Sequence, residues 1–305
     1  MKTIRLIELF AGYGSQAMAL RNLKLPFEHY RVVEFDEYAI RSYNAVHGTS
    51  FPKIDIRDIK GEDLGIVDTD KFTYLMTYSF PCTDLSIAGT RQGMGRESGT
   101  RSGLLWEVER LLKECSELPQ FLLMENVPMI HNEQNIKDFA EWINFLESLG
   151  YRNKRQDLNA KDYGIPQNRI RCFMVSWLDK SFSYSFPLPI PLTTTMRDYL
   201  EDAVDDKYYL TGERVDKLVA DLVENGVERE RERDNPCRER GRLSPDRGGF
   251  QSLRPVANDN NRGRGRTSAK INRVGSLEGY EVRNRVYDPY GLSPSVISTE
   301  ILTLF

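Results

Sequence analysis

The feature that most constrains the fold is a rhythm of short apolar runs separated by longer stretches of helical character. Residues 3–9, 30–35, 72–78, 121–125 and 172–177 are brief and rich in β-branched or aromatic side chains, which suits strands. Ser15 to Asn22, Leu104 to Cys115 and Ile136 to Leu149 lie between them and read as helices. This alternation predicts an α/β fold in which a parallel sheet carries helices on both faces. Such sheets bind ligands at the carboxyl ends of their strands, so chemistry is sought in the residues just after each run.

The first run leads into "FAGYGSQA", residues 10–17, where Gly12 and Gly14 stand at a strand-to-helix turn and Ala17 takes the place of a third glycine. Glycines there let the backbone approach a ligand closely. Glu34, in "VVEFD" at the end of the second run, is placed to accept hydrogen bonds from a ribose hydroxyl pair. These residues indicate a nucleoside cofactor and fit a dinucleotide almost as well as S-adenosylmethionine. Asp58, in "DIRDI", is a candidate partner for an adenine amino group, though a turn aspartate needs no ligand to explain it.

"SFPCTDLS", residues 79–86, follows the third run and sets Cys82 in a polar turn after a proline. Free cysteines are ordinarily buried apolar residues, so this position suggests a nucleophile. A thiol at its ordinary pKa of about 8.5 needs positive surroundings or backbone amides to act so, and "TDLS" could supply amides from a turn or helix start. "MENVP" puts Glu125 and Asn126 after the fourth run. "YGIPQNRIRCFMV" leads into the fifth, and its Arg169 and Arg171 share one face of an extended segment.

In that order and spacing, "FAGYG", "PCTDLS", "ENV" and "GIPQNRIR" resemble the motif series of the cytosine-5 DNA methyltransferases, over about residues 4–178. The resemblance implies a Rossmann-like methyltransferase sheet and transfer of a methyl group from S-adenosylmethionine to carbon 5 of cytosine in double-stranded DNA. By it, Cys82 attacks C6 of a flipped-out base, Glu125 holds and protonates N3, and Arg169 and Arg171 stabilise charge or position these groups. Phe10, Gly12, Gly14, Glu34, Asp58, Ile59, Pro81 and Leu105 become the cofactor-binding set, and no metal is implied. A restriction-modification role is the expected setting. The glycines between residues 89 and 103 predict a mobile lid, whose Arg91, Arg96 and Arg101 are expected to meet DNA phosphates.

The remaining observations bound this reading. No apolar run approaches the roughly 18 residues of a membrane span, and Glu8 interrupts the apolar N-terminus, so a cytoplasmic protein is expected. Cys82, Cys115, Cys172 and Cys237 are widely spaced without a CxxC pair, which suggests neither disulfides nor a zinc site. Residues 1–185 are expected to form the catalytic and cofactor-binding domain, and residues 186–305 a smaller, partial target-recognition region. Within the latter, Val215, Leu218, Val219, Leu222 and Val223 mark one helix face, and the Arg-rich tract 227–270 is expected to be irregular. Charge divides similarly: residues 1–224 hold 27 Lys/Arg against 34 Asp/Glu, residues 225–305 hold 15 against 11. "NRVYDPYGLSPSVIST" resembles the family segment that returns to the catalytic domain, but "EILTLF" does not match the helix and Gly-Asn motif that the resemblance implies next. The isolated chain is therefore expected to have weak or no activity, as a fragment, a frameshift product or one part of an enzyme completed by a second polypeptide. An RNA cytosine methyltransferase and a catalytically dead DNA-binding or regulatory protein are the competing readings. A nicotinamide dehydrogenase explains the glycines and Glu34 but gives "PCTDLS" no role.

Overall fold

A computed structural model describes residues 2–82, 84–85, 93–96, 99–205 and 220, and the backbone of 273–276, 285–287 and 293–294. Thr83, Arg91, the helix face at 215–223 and the Arg-rich tract lie outside the described residues, as do most of the lid and of the segment from 284 to 299. The chain divides into two compact units, Met1–Tyr163 with Arg169–Pro191, and Gly164–Asn168 with Leu192–Phe305.

The first unit is built on a six-stranded sheet. Its elements are β1 (Ile4–Leu9), α1 (Ser15–Asn22), β2 (Phe27–Val33), α2 (Glu37–His47), β3 (Thr73–Tyr78), α3 (Leu105–Glu114), β4 (Phe121–Asn126), α4 (Ile136–Ser148) and β5 (Arg152–Asn159). After the two-residue β6 (Gln167–Asn168), which belongs to the second unit, β7 (Ile170–Trp177) completes the sheet. The strand order is β2-β1-β3-β4-β7-β5. β2, β1, β3 and β4 pair in parallel, whereas β7 runs antiparallel to both β4 and β5. The sheet is therefore mixed, not wholly parallel. A tight return produces the reversal: Ala160 N–H bonds the Arg169 carbonyl at 3.0 Å and Arg169 N–H bonds Asn159 Oδ1 at 3.0 Å, turning the chain back along β5.

Alternation along β1 sends side chains to both faces. Ile7 and Leu9 join the main core, which also holds Val108, Leu111 and Leu112 of α3 and Phe139, Trp142 and Leu146 of α4. Leu6 packs with Ala17 and Leu20 of α1, and Val32 with Ile40 and Tyr43 of α2. Helices thus cover both faces. Fully buried side chains such as Trp142 and Tyr78 contribute about 1.5–3 kcal/mol each by burial, and the Trp142 indole N–H reaches the Tyr78 hydroxyl at 3.2 Å. Helix α2 begins where Asp36 accepts hydrogen bonds from Tyr38 and Ala39 N–H and ends at the left-handed Gly48.

In the second unit, β6 pairs in parallel with β10 (Ser293–Pro294), and β8 (Arg273–Ser276) pairs antiparallel with β9 (Arg285–Tyr287). Residues 196–199 form a 3-10 turn that Thr195 and Asp198 cap reciprocally. Among the described residues no helix is long and apolar enough to cross a membrane.

Candidate active site

Strands β1, β3 and β4 are parallel, so their carboxyl ends share one edge of the sheet. β7 is antiparallel and starts at that edge, with Cys172 opposite Asn126. Four of the stretches singled out in the sequence converge there.

At the end of β1 the backbone enters the left-handed region three times, at Phe10 (φ 57°), Gly12 (φ 56°) and Gly14 (φ 82°). Gly14 N–H bonds the Ala11 carbonyl at 2.9 Å and its own carbonyl starts α1 through Met18 N–H at 3.0 Å. A Cβ at Gly12 would meet nothing within 4 Å, whereas one at Gly14 would lie 2.4 Å from His47 Nε2 and 2.6 Å from the Tyr43 ring. One glycine faces open space and the other is packed. The Glu34 carboxylate, directly after β2, accepts from Gly12 N–H at 2.9 Å and from Asp36 N–H at 2.8 Å. Each of its oxygens retains a lone pair for another donor.

Under this turn lies a network that sequence reasoning missed. Buried Glu8 accepts from the Tyr43 hydroxyl at 2.6 Å and from Ala17 N–H at 3.3 Å, and Tyr43 accepts in turn from His29 Nδ1 at 2.7 Å. Burial pushes the Glu8 carboxyl up to about 7. The only sequence signal was a glutamate at an inward position of an apolar strand.

The other proposed cofactor residues are placed unequally. Asp58 is exposed at the end of the 3-10 turn 56–58, and half-buried Ile59 and Phe10 pack on the main core. Half-buried Pro81 accepts a 2.7 Å hydrogen bond at its carbonyl from the Ser102 hydroxyl. Leu105 is fully buried, so its side chain presents no surface to a ligand; as the first residue of α3 it serves the core.

Half-buried Cys82 opens a turn closed by Leu85 N–H on the Cys82 carbonyl at 3.0 Å. That turn is pinned twice, by Asp84 accepting from Ser102 N–H at 3.1 Å and by Asn126 donating to the Phe80 carbonyl at 3.0 Å. Ser102 and Asp84 are further positions that sequence reasoning did not pick out. Glu125, at the end of β4, meets Arg171 Nε at 3.1 Å and Arg169 Nη2 at 3.7 Å. Burial raises the Cys82 thiol above its ordinary value; Arg171 opposes this, Glu125 adds to it, and Arg169 opposes it more weakly. The groups that favour the thiolate are Arg171 first, then the backbone N–H of Cys82 itself and Arg169, while Thr83 and Ser86 of "TDLS" lie outside the described residues. Burial, with Arg169 adding, holds the Arg171 guanidinium below its usual range.

Arg96 departs from the expected phosphate contact. Its guanidinium pairs with Glu109 and Glu141 at 2.6 Å each and lies 3.9 Å over the Trp106 ring, tying the described part of the glycine-rich segment to α3 and α4. Its charge is already neutralised. Arg101 is exposed, just before the 3-10 turn 102–104.

Residues 4–239 match the C-5 cytosine-specific DNA methylase family. The type II methyltransferase M2.ScrFI of Lactococcus lactis subsp. cremoris is 33% identical, over 70% of this chain and 71% of its own length. The orphan methyltransferase M.SssI of Spiroplasma monobiae is 34% identical over 59% of this chain and 60% of its own. Among solved structures, the S. pombe Dnmt2 methyltransferase superposes with a TM-score of 0.54 at 23% identity, over 69% of this chain and 63% of that one, which supports the fold. With the motifs at one sheet edge and most of the chain matched, this protein belongs to the C-5 cytosine-specific DNA methylase family.

Proposed function

We propose that the chain methylates carbon 5 of cytosine in double-stranded DNA through a covalent adduct of Cys82, in a cytoplasmic restriction-modification setting. The observation that carries this reading is the convergence of Cys82 and Glu125 with Arg171 and Arg169 around one position at the sheet edge.

Cytosine inside a duplex exposes neither face to a thiolate, so the base must first be turned out. The Cys82 thiolate then adds to C6: the S–C6 bond forms as the C5–C6 π electrons move onto C5. Glu125 hydrogen-bonds N3 and the exocyclic amine and supplies the proton to N3. Arg169 faces the charge on O2, while Arg171 orients Glu125 and favours the thiolate. Once C5 carries the methyl group that bound S-adenosylmethionine would supply, loss of the C5 proton to a base restores the C5–C6 double bond and expels the Cys82 thiolate, and N3 returns its proton to Glu125.

The residues at the β1 turn fit S-adenosylmethionine, which supplies an electrophilic methyl group when bound. Open space over Gly12 beside the Glu34 carboxylate admits a ribose, and Phe10, Gly14, Asp58, Ile59 and Pro81 complete the holding set. Leu105 backs it from the core. The test is a mechanism trap. Duplex DNA carrying 5-fluorocytosine, with S-adenosylmethionine, should give a denaturation-resistant adduct with the wild-type chain and none with Cys82→Ala. Equal adduct from both proteins overturns the reading, and none from wild type overturns it in favour of the weak or inactive chain expected from the sequence; preference for RNA carrying the same base would redirect it.

A further inference from the structure

Consecutive residues of a strand point to opposite faces of a sheet, so Cys172 lies on the face away from Arg171 and the methyl-transfer site. Asp157 of β5 sits directly opposite it in register. From the 3-10 turn 128–131, His131 Nε2 reaches both carboxylate oxygens of Asp157 at 3.0 Å, and the Cys172 sulfur lies beside the same carboxylate. The imidazole nitrogen, a carboxylate oxygen and the sulfur all lie within 4.8 Å of one another. None of the three has a part in the proposed methyl transfer.

We propose that His131, Asp157 and Cys172 form a binding site for a divalent cation of the zinc type. One nitrogen, one oxygen and one sulfur donor suit a borderline ion, whereas magnesium and calcium favour oxygen alone. The charges also balance, because a thiolate and a carboxylate with a neutral imidazole neutralise a dication. Binding displaces the Cys172 thiol proton to solvent, and the His131 ring proton occupies Nδ1 while Nε2 ligates. Bonds of about 2.0–2.3 Å put tetrahedral ligands roughly 3.5 Å apart, so the widest pair closes by about 1 Å through side-chain rotation. The sulfur is buried while the His131 and Asp157 side chains are 26% and 36% exposed, which leaves an open side for entry and for a water as fourth ligand. Arg155, the cation that also acts on Cys172, stacks over the Phe139 ring 5.6 Å away. The ion would join β5, β7 and the turn after β4, behind Glu125 and Arg171. Donors at 131, 157 and 172 have no local spacing, which is why the cysteine pattern suggested no metal site.

The test is titration of the chelator-treated full chain with Co(II). One equivalent should bind with a thiolate-to-cobalt charge-transfer band and be displaced by Zn(II). Cys172→Ser should remove the band, and His131→Gln, at a partly exposed position, should weaken binding about tenfold or more. Cys82→Ser should leave the band in place. Absence of saturable binding, a band that survives Cys172→Ser, or one that disappears with Cys82→Ser overturns the proposal.

Discussion

The two glycines of the β1 turn should fail in different ways when given a methyl group. At Gly14, with φ 82°, the added Cβ lies 2.6 and 2.9 Å from ring atoms of Tyr43 and 2.4 Å from His47 Nε2. Half-exposed His47 can swing away, but Tyr43 is fully buried and its hydroxyl is held by Glu8 and His29. Left-handed backbone costs an L-residue about 1–2 kcal/mol, and overpacking adds about 1–3 kcal/mol. Gly14→Ala should therefore lose about 2–5 kcal/mol, a drop in Tm on the order of 10 °C for a unit of this size. Gly12→Ala, with φ 56° and nothing within 4 Å, incurs only the backbone cost, and Tm should fall a few degrees. Its methyl group enters the space assigned to the cofactor, so S-adenosylmethionine affinity should drop about tenfold or more, about 1.4 kcal/mol. Thermal unfolding and calorimetric titration on the same preparations separate the two effects. If Gly12→Ala is destabilised as much as Gly14→Ala, or binds S-adenosylmethionine like wild type, the division of labour between the glycines is refuted.

Cys82, raised by burial, should alkylate more slowly at neutral pH than a free thiol, and Arg171→Gln should move the alkylation midpoint to still higher pH; a downward move would contradict the assigned role of Arg171. Arg96→Ala leaves the buried Glu109 paired, among the described residues, with Lys113 alone, and with Arg96 itself 42% exposed the loss should be about 1–2 kcal/mol in urea unfolding, partly recovered by Arg96→Lys. Glu8, raised from 4.5 to about 7 in the fold, contributes stability that is full below pH 4.5 and lost as pH rises through about 7, about 3 kcal/mol in all; Glu8→Gln should flatten that slope in denaturant melts across the window.

The apolar strands and the glycine turn were legible because each carries its signal locally. β1, β3 and β4 announce themselves by composition, and α1 covers the predicted residues 15–22. β5 was invisible for the opposite reason. "RNKRQDLN" is an edge strand with mostly exposed side chains, held by pairing to β7 and not by burial, so no apolar period marks it. Arg96 was misread on similar grounds: an arginine in a glycine-rich stretch looks free for phosphate until α3 and α4 bring Trp106, Glu109 and Glu141 to it from 10, 13 and 45 residues away.

One expectation drawn from the sequence conflicted with another, and the fold shows which had to yield. A wholly parallel sheet has every strand starting at the edge opposite its ligand-binding edge. "NRIR" precedes its strand, whereas "PC" and "EN" follow theirs, so parallel pairing would put Arg169 and Arg171 a full strand length from Glu125. At about 3.3 Å per residue, six to eight residues separate the two edges by roughly 20–26 Å. No side chain spans that. Only an antiparallel β7 brings residues 169–171 beside the end of β4, where Arg171 stands 3.1 Å from Glu125. Motifs that must share a site but lie on opposite sides of their strands are therefore a topological constraint, and here they require the reversal that strand composition alone did not reveal.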